Sequence, residues 1–282
     1  MIKQWIASYQ PKNILETEQA LREIMQEIAL AGLNRANFFK NAAFYGGTAL
    51  RIFHGLDRFS EDLDFSLLEK MEDFKLEPYF KSVVDEFDSL GIKVSLNQKL
   101  KMTHSRIDSA FLKSDTIWSE LIFENTIPQI NLSIKPSIKI KIEVDTNPPL
   151  YFTTENLLLL KPFSFYVNCF TLPDLFAGKM HALLFRNWKN RVKGRDWYDF
   201  EWYIKKGVKL NLNHLYQRAI ESGDWSDPSL SQAQLLELLN KKIDSVELGQ
   251  IKEDVIRFIP NPERLDIWSK SYFHQLSTHL KF

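Results

Sequence analysis

The chain has 282 residues, 44% of them hydrophobic, enough to bury the core of one large domain or two modest ones. Its 36 basic and 36 acidic side chains cancel, so any anion-binding surface must come from local clustering rather than from overall charge. The single cysteine, Cys169, excludes a disulfide framework and a cysteine-built zinc site, and within Phe-Tyr-Val-Asn-Cys-Phe it reads as buried packing. Aliphatic runs such as Leu157 to Leu160 are far too short to cross a bilayer, and no basic-then-apolar signal opens the sequence. A cytoplasmic protein with no membrane partner is expected.

In chain order, Leu21, Ile24, Ile28 and Leu33 recur at helical spacing and predict a helix over 17–33, with Gly32 near its end. Phe38 to Tyr45 reads as a helix end running into a short strand. Gly46-Gly47-Thr48 is then a turn, and a helix follows to about Gly55. Arg58 to Leu67 begins polar and becomes a strand through Leu63-Asp64-Phe65. A helix over 75–90 and a strand over 91–96 come next. From Thr116 to Asp145 the pattern alternates, most clearly over 137–145. There Ile138, Ile140, Ile142 and Val144 face one way, and Lys139, Lys141, Glu143 and Asp145 the other. Pro148-Pro149 ends that strand, and after Thr171-Leu172-Pro173 the character is helical. The expected fold is α/β (α+β), with a mixed-sheet core and N-terminal helix over 1–170 and a mainly helical region over 171–282.

Residues i and i+2 of a strand share a face, so Asp62 and Asp64 project together. Two carboxylates so placed hold one or two magnesium ions, which clamp the attacking and leaving oxygens of an in-line displacement. If the 137–145 strand pairs beside them, Asp145 supplies a third carboxylate, with Glu143 as second choice. Magnesium suits such a site because it prefers carboxylate, water and phosphate oxygen. An Asp-x-Asp pair also occurs at solvated strand edges, and context decides between the readings. Just upstream, Gly46-Gly47-Thr48 permits a tight turn and close backbone approach, and the helix start offers free N–H groups to a phosphate.

Lys179 has Leu175, Phe176, Ala182 and Leu183 three and four residues away, which places it in an apolar stripe. It either snorkels to the edge or reaches a nucleotide phosphate. Arg186, Lys189, Arg191, Lys193 and Arg195 follow as a basic run, read as compensation of a helix end or as a footprint for phosphates or RNA. Asp196 and Asp199 either begin a helix as cap and first-turn acid, or Asp196 turns into a cleft to orient a base, a metal-bound water or Lys179. His54, His104, His181, His214, His274 and His279 show no metal-ligand spacing. Trp188, Trp197, Trp202 and Trp225 are expected in core packing before any interface.

Gly46-Gly47-Thr48-Ala49-Leu50, followed by Arg58-Phe59-Ser60-Glu61-Asp62-Leu63-Asp64-Phe65, resembles the first motif of the AbiEii/AbiGii toxin family. These are nucleotidyltransferases of the DNA polymerase β superfamily, found in bacterial toxin–antitoxin and abortive-infection systems. Lys141 and Asp145 match its second motif, Lys179 its third, and Arg195-Asp196 with Asp199 its fourth, all in the family's order. Many superfamily members carry Gly-Ser where this chain has Gly47-Thr48, which keeps the hydroxyl. After Trp202 no motif is recognised.

The resemblance implies a magnesium-dependent nucleotidyltransferase core that binds an NTP, with manganese as an alternative ion. It also implies a separately encoded antitoxin and, as in some relatives, the 3′ end of tRNA as acceptor. On this reading Asp62 and Asp64 bind two metal ions, and Asp145 binds the one nearer the acceptor hydroxyl. Gly46, Gly47, Thr48, Lys141 and Lys179 hold the nucleotide, and Asp196 supports the site. Two rival readings stand beside it. One is transfer to a small molecule or a protein hydroxyl; the other is a non-catalytic NTP-binding module.

Overall fold

The strand predicted over 137–145 forms as β5 (Ile138–Asp145), and its alternation explains the architecture around it. In the computed structural model, which describes residues 2–98, 116–123, 138–186 and 193–282, β5 lies third in a mixed seven-stranded sheet. The other strands are β1 (Ala42–Tyr45), β2 (Leu63–Leu67), β3 (Ser95–Gln98), β4 (Thr116–Phe123), β6 (Thr154–Leu159) and β7 (Phe165–Phe170). Their order is β3-β4-β5-β2-β1-β7-β6. β2 runs parallel to β5 and antiparallel to β1; β1 runs parallel to β7.

Apolar residues of one sheet face, among them Leu63, Phe65, Ile140, Ile142 and Val144, join a core with α2 (Ile14–Arg35) and α4 (Phe80–Ser89). Asn13 caps α2 by accepting a hydrogen bond from the Glu16 N–H at 2.9 Å. Gly32 lets α4 approach closely, since a Cβ there would stand 3.0 Å from the Ser82 carbonyl oxygen. The opposite sheet face carries Asp64, Ser66, Glu143 and Asp145. A second core, built on α5 (Leu172–Phe185) and α6 (Gly194–Lys206), lies beyond it. Trp197 is buried there, and Trp202 and Trp225 pack against it. Helices α7 (Leu212–Glu221), α8 (Gln232–Ser245), α9 (Leu248–Val255) and α10 (Lys270–Ser277) complete the helical part.

Several expectations need correction. α2 begins earlier than predicted, and α1 (Ile2–Ser8) precedes it. Gly46-Gly47-Thr48 is not a turn before a helix but the first turn of α3 (Gly46–His54), which ends on Gly55 in the left-handed region. The hairpin β6–β7 was not anticipated, because neither strand alternates. β6 is an edge strand with mostly exposed residues, while β7 is buried along most of its length between β1 and β6. Among the described residues no helix is long and apolar enough to cross a membrane. His104, Trp188, Lys189 and Arg191 lie outside the described residues.

Candidate active site

A cleft of about 350 Å³ opens on the carboxylate face, between the sheet and helices α5 to α7. Asp62 and Asp64 both line it, as the i, i+2 argument requires. The segment that delivers them is pinned from three sides. The buried Gln26 amide donates to the carbonyls of Ser60 and Glu61 at 3.2 and 3.0 Å. The Thr48 hydroxyl donates to the Asp62 carbonyl. The Arg58 guanidinium forms a two-pronged pair with Asp199, Nε to Oδ1 and Nη2 to Oδ2, each at 2.6 Å.

The parallel register sets Asp64 across from Glu143 and Ser66 across from Asp145. Glu143 is thus the cross-strand neighbour of the pair, and Asp145 stands one pleat repeat further along. The electrostatics follow the register. Burial, then the charges of Asp62 and Glu143, push the Asp64 carboxyl up to about 7. Burial and Glu143 likewise raise Asp62. Burial raises Asp145 too, but the charge acting most strongly on it is Arg218.

Gly46 and Gly47 line the cleft beside these acids. Gly46 has φ +85°, and a Cβ there would run into an Asp64 carboxylate oxygen. A Cβ on Gly47 would lie 2.8 Å from the Ser60 hydroxyl oxygen and 2.9 Å from Arg58 Nη2. The start of α3 therefore approaches the acids as only glycine permits, with its N–H groups at a helix N-terminus. Gly46→Ala is expected to cost about 1–2 kcal/mol of stability through the left-handed backbone alone. It should also displace Asp64, so the melting temperature and any activity that depends on Asp64 should fall together. An unchanged melting temperature and activity would show that the close approach is unimportant.

Thr48 itself is corrected. It is fully buried and does not line the cleft, so its hydroxyl fixes the Asp62 segment instead of facing a phosphate. Lys141 pairs with Glu143 at 2.5 Å, one residue behind the cleft lining.

Lys179 enters from α5, where Nζ lies 2.7 Å from Asp199 Oδ2 and 3.6 Å from Asp196 Oδ1. The lysine thus neither snorkels into solvent nor stands free, but is held at the cleft wall by two acids of α6. Asp196 lines the cleft and is buried, and it is also a first-turn acid of α6, whose cap residue is Lys193. Asp199 and Arg58 stand in the resemblance motifs, but their pairing with each other was not anticipated. Burial works against both charges, yet each holds the other ionised: Asp199 is lowered by Arg58 and Lys179, and Arg58 is raised by Asp199. From the basic run, Arg186, Lys193 and Arg195 line the cleft, and Arg218 of α7 does so as well. Nothing in the local sequence marks Arg218 as a site residue.

Among the described residues no group of three or more His, Cys, Asp or Glu side chains is disposed to hold a metal ion. The donors nonetheless fit magnesium, which is normally held by one or two carboxylates together with substrate phosphates and water. Asp62 and Asp64 offer hard oxygens that are partly exposed to the cleft, and the mutual repulsion of Asp64 with Asp62 and Glu143 is what a bound cation would relieve. Manganese fits the same oxygen donors.

A mixed sheet bearing paired acids beside a glycine-opened helix, with a cationic wall across the cleft, is an arrangement suited to nucleotidyl transfer. The family comparison agrees: residues 28–277 match the family model described as nucleotidyl transferase AbiEii toxin, type IV TA system. The chain belongs to this AbiEii family of toxin nucleotidyltransferases. Its fold is similar to that of MenT4, the nucleotidyltransferase toxin Rv2826c from Mycobacterium tuberculosis H37Rv, with a TM-score of 0.53 at 14% identity over 100% of both chains. It is also similar to JHP933 from Helicobacter pylori, with a TM-score of 0.52 at 16% identity over 92% of this chain and 90% of that one. A search of the curated proteins finds no match.

Proposed function

We propose that this cleft transfers the nucleoside monophosphate of an NTP to an acceptor hydroxyl, and that the acceptor is the 3′ end of tRNA. The observation that carries the transfer chemistry is the convergence of Asp62, Asp64 and Glu143 with the Gly46–Gly47 helix start. The α3 N-terminus and Lys179 hold the phosphates of the NTP. Asp62 and Asp64, with Glu143 completing the set, hold magnesium; when bound, the ion neutralises charge developing on the phosphoryl oxygens. Asp145 orients the acceptor hydroxyl and takes its proton. The hydroxyl oxygen forms a bond to the α-phosphorus as the bond to the departing pyrophosphate breaks. Catalysis then rests on positioning and on charge stabilisation. Asp196 supports the site by restraining Lys179. A separately encoded antitoxin is the proposed protein partner, as membership of a type IV toxin–antitoxin family suggests. An NTP and a tRNA as substrates suit a cytoplasmic location.

The test is label transfer with purified protein, magnesium, each α-³²P-labelled NTP in turn and total cellular RNA, with Asp62→Ala in parallel. A labelled band of tRNA size is expected with the intact protein alone. Label on the Asp62→Ala reaction would sink the metal-site assignment. A protein that labels other hydroxyls and never RNA would remove the acceptor.

A further inference from the structure

The cleft is electrostatically two-ended. At one end stand Gly47, Ser60, Lys179 and Arg195, around the start of α3 and Asp62. At the other, Arg218 is the charge acting most strongly on Asp145; Tyr45, the residue before Gly46, stacks on Phe170 at a ring separation of 5.2 Å. Asp145 lies two residues beyond Glu143 on β5, a displacement of about 7 Å along the strand.

The cations of the two ends differ in kind. Arg58, Lys179 and Arg195 each have a carboxylate within 4 Å, at Asp199, Asp199 and Glu61. Arg218 appears in none of the ion pairs of the described residues, and its buried Nε has no hydrogen-bond partner among them. A buried guanidinium N–H without an acceptor is unusual, because desolvation without a partner is costly. Helix α7 thus brings to the cleft wall a guanidinium that has no ion pair among the described residues and whose buried Nε lacks an acceptor.

We propose that Arg218 forms a second anion subsite, which takes a backbone phosphate of a nucleic-acid acceptor next to its reacting 3′ hydroxyl. The inference rests on the transfer reading above and names the residue that recognises the acceptor. In-line displacement places the attacking oxygen opposite the leaving pyrophosphate. With the pyrophosphate at the α3 end, the attacking strand occupies the Asp145 end, where Arg218 offers the planar fork that matches a phosphate. A polycationic small acceptor would meet like charge there.

The experiment compares wild type, Arg218→Gln and Arg218→Lys. One arm measures steady-state transfer with NTP and tRNA varied separately. The other measures anisotropy binding of a fluorescent single-stranded RNA with a free 3′ hydroxyl, without NTP, across a salt series. Arg218→Gln should raise the KM for RNA and the Kd of the oligonucleotide about 10- to 100-fold, as loss of a charge-assisted contact does. It should leave the KM for NTP unchanged and reduce the salt slope by about 0.7, as expected for one lost single-strand phosphate contact. Arg218→Lys should recover part of the loss, and it carries the test if the glutamine variant does not fold. A raised KM for NTP with unchanged RNA binding would overturn the proposal, as would no change in either at an intact melting temperature. A wild-type protein that labels no RNA, yet loses oligonucleotide binding on Arg218→Gln, would sink the transfer reading and uphold the subsite.

Discussion

An Asp64→Asn protein should lose NMP transfer by about 10²–10³-fold or more, as expected when one group stabilising phosphoryl charge is removed. At neutral pH it should also melt at a higher temperature than the wild type. Both effects have one origin. Burial beside Asp62 and Glu143 raises the folded Asp64 carboxyl to about 7, whereas an unfolded aspartate titrates near its ordinary value of 3.8. Between those pH values the folded state keeps a proton that the unfolded state has released. Raising the pH across the window therefore favours unfolding, by at most about 1.4 kcal/mol per pH unit. Asparagine never ionises and removes that penalty. The gap in stability between the two proteins should be absent below about pH 4, grow toward pH 7 and then level off. Glu27, which burial raises to about 8, adds a slope of the same sign, but it is present in both proteins and cancels in the difference. Magnesium should stabilise the wild type more than the variant, because bound cation favours the ionised carboxylate. Denaturant titrations from pH 4 to pH 8, with and without magnesium, give the comparison. Parallel pH profiles for the two proteins would show that Asp64 is not held in an uncompensated site.

The parts of this site legible in the sequence are those whose meaning is local. The i, i+2 spacing of Asp62 and Asp64 needs only a strand, and the alternation from Ile138 to Asp145 needs only a half-buried one. What the sequence could not supply is register. Glu143 and Asp145 share one face of β5, and the β2–β5 pairing alone decides which of them meets Asp64. A shift of two residues would exchange them without altering the hydrophobic pattern. The contacts of Thr48 and Lys141 were illegible for a related reason. Their residue types suit phosphate binding, but the Asp62 carbonyl and Glu143 engage them first. Asp199 sits one helical turn from Asp196, so a shared face of α6 was legible; its partner Arg58, 141 positions away, was not. β6 and β7 escaped because an edge strand and a nearly fully buried one both lack period-two contrast. Arg218 lies on an ordinary amphipathic helix, and only the tertiary fold turns it into the cleft.

The largest loss of stability among substitutions in and behind the cleft wall is expected at Asp199. Its carboxylate is fully buried and serves two cations from separate parts of the chain, Arg58 from the segment before β2 and Lys179 from α5. Asp199→Ala strands a buried guanidinium that cannot deprotonate, and it frees Lys179 to swing away from the cleft wall. Breaking a buried pair from one side costs about 3–5 kcal/mol. Arg58→Met should cost less, because Asp199 keeps Lys179 as a partner. The ordering of melting temperatures should therefore be wild type, then Arg58→Met, then Asp199→Ala. Removing the buried charges together, as Arg58→Met with Asp199→Leu, should recover much of the stability lost by Asp199→Ala, since replacing a buried pair by apolar groups is often close to neutral. Transfer activity should not recover with it, because Lys179 would then be restrained only by Asp196 at 3.6 Å and the segment carrying Asp62 would lose its anchor. Thermal melts and transfer rates on the same three variants separate the two roles. Activity returning with stability in the double variant would mean that the pair merely holds the fold. Stability returning alone would show that it sets the positions of Lys179 and Asp62.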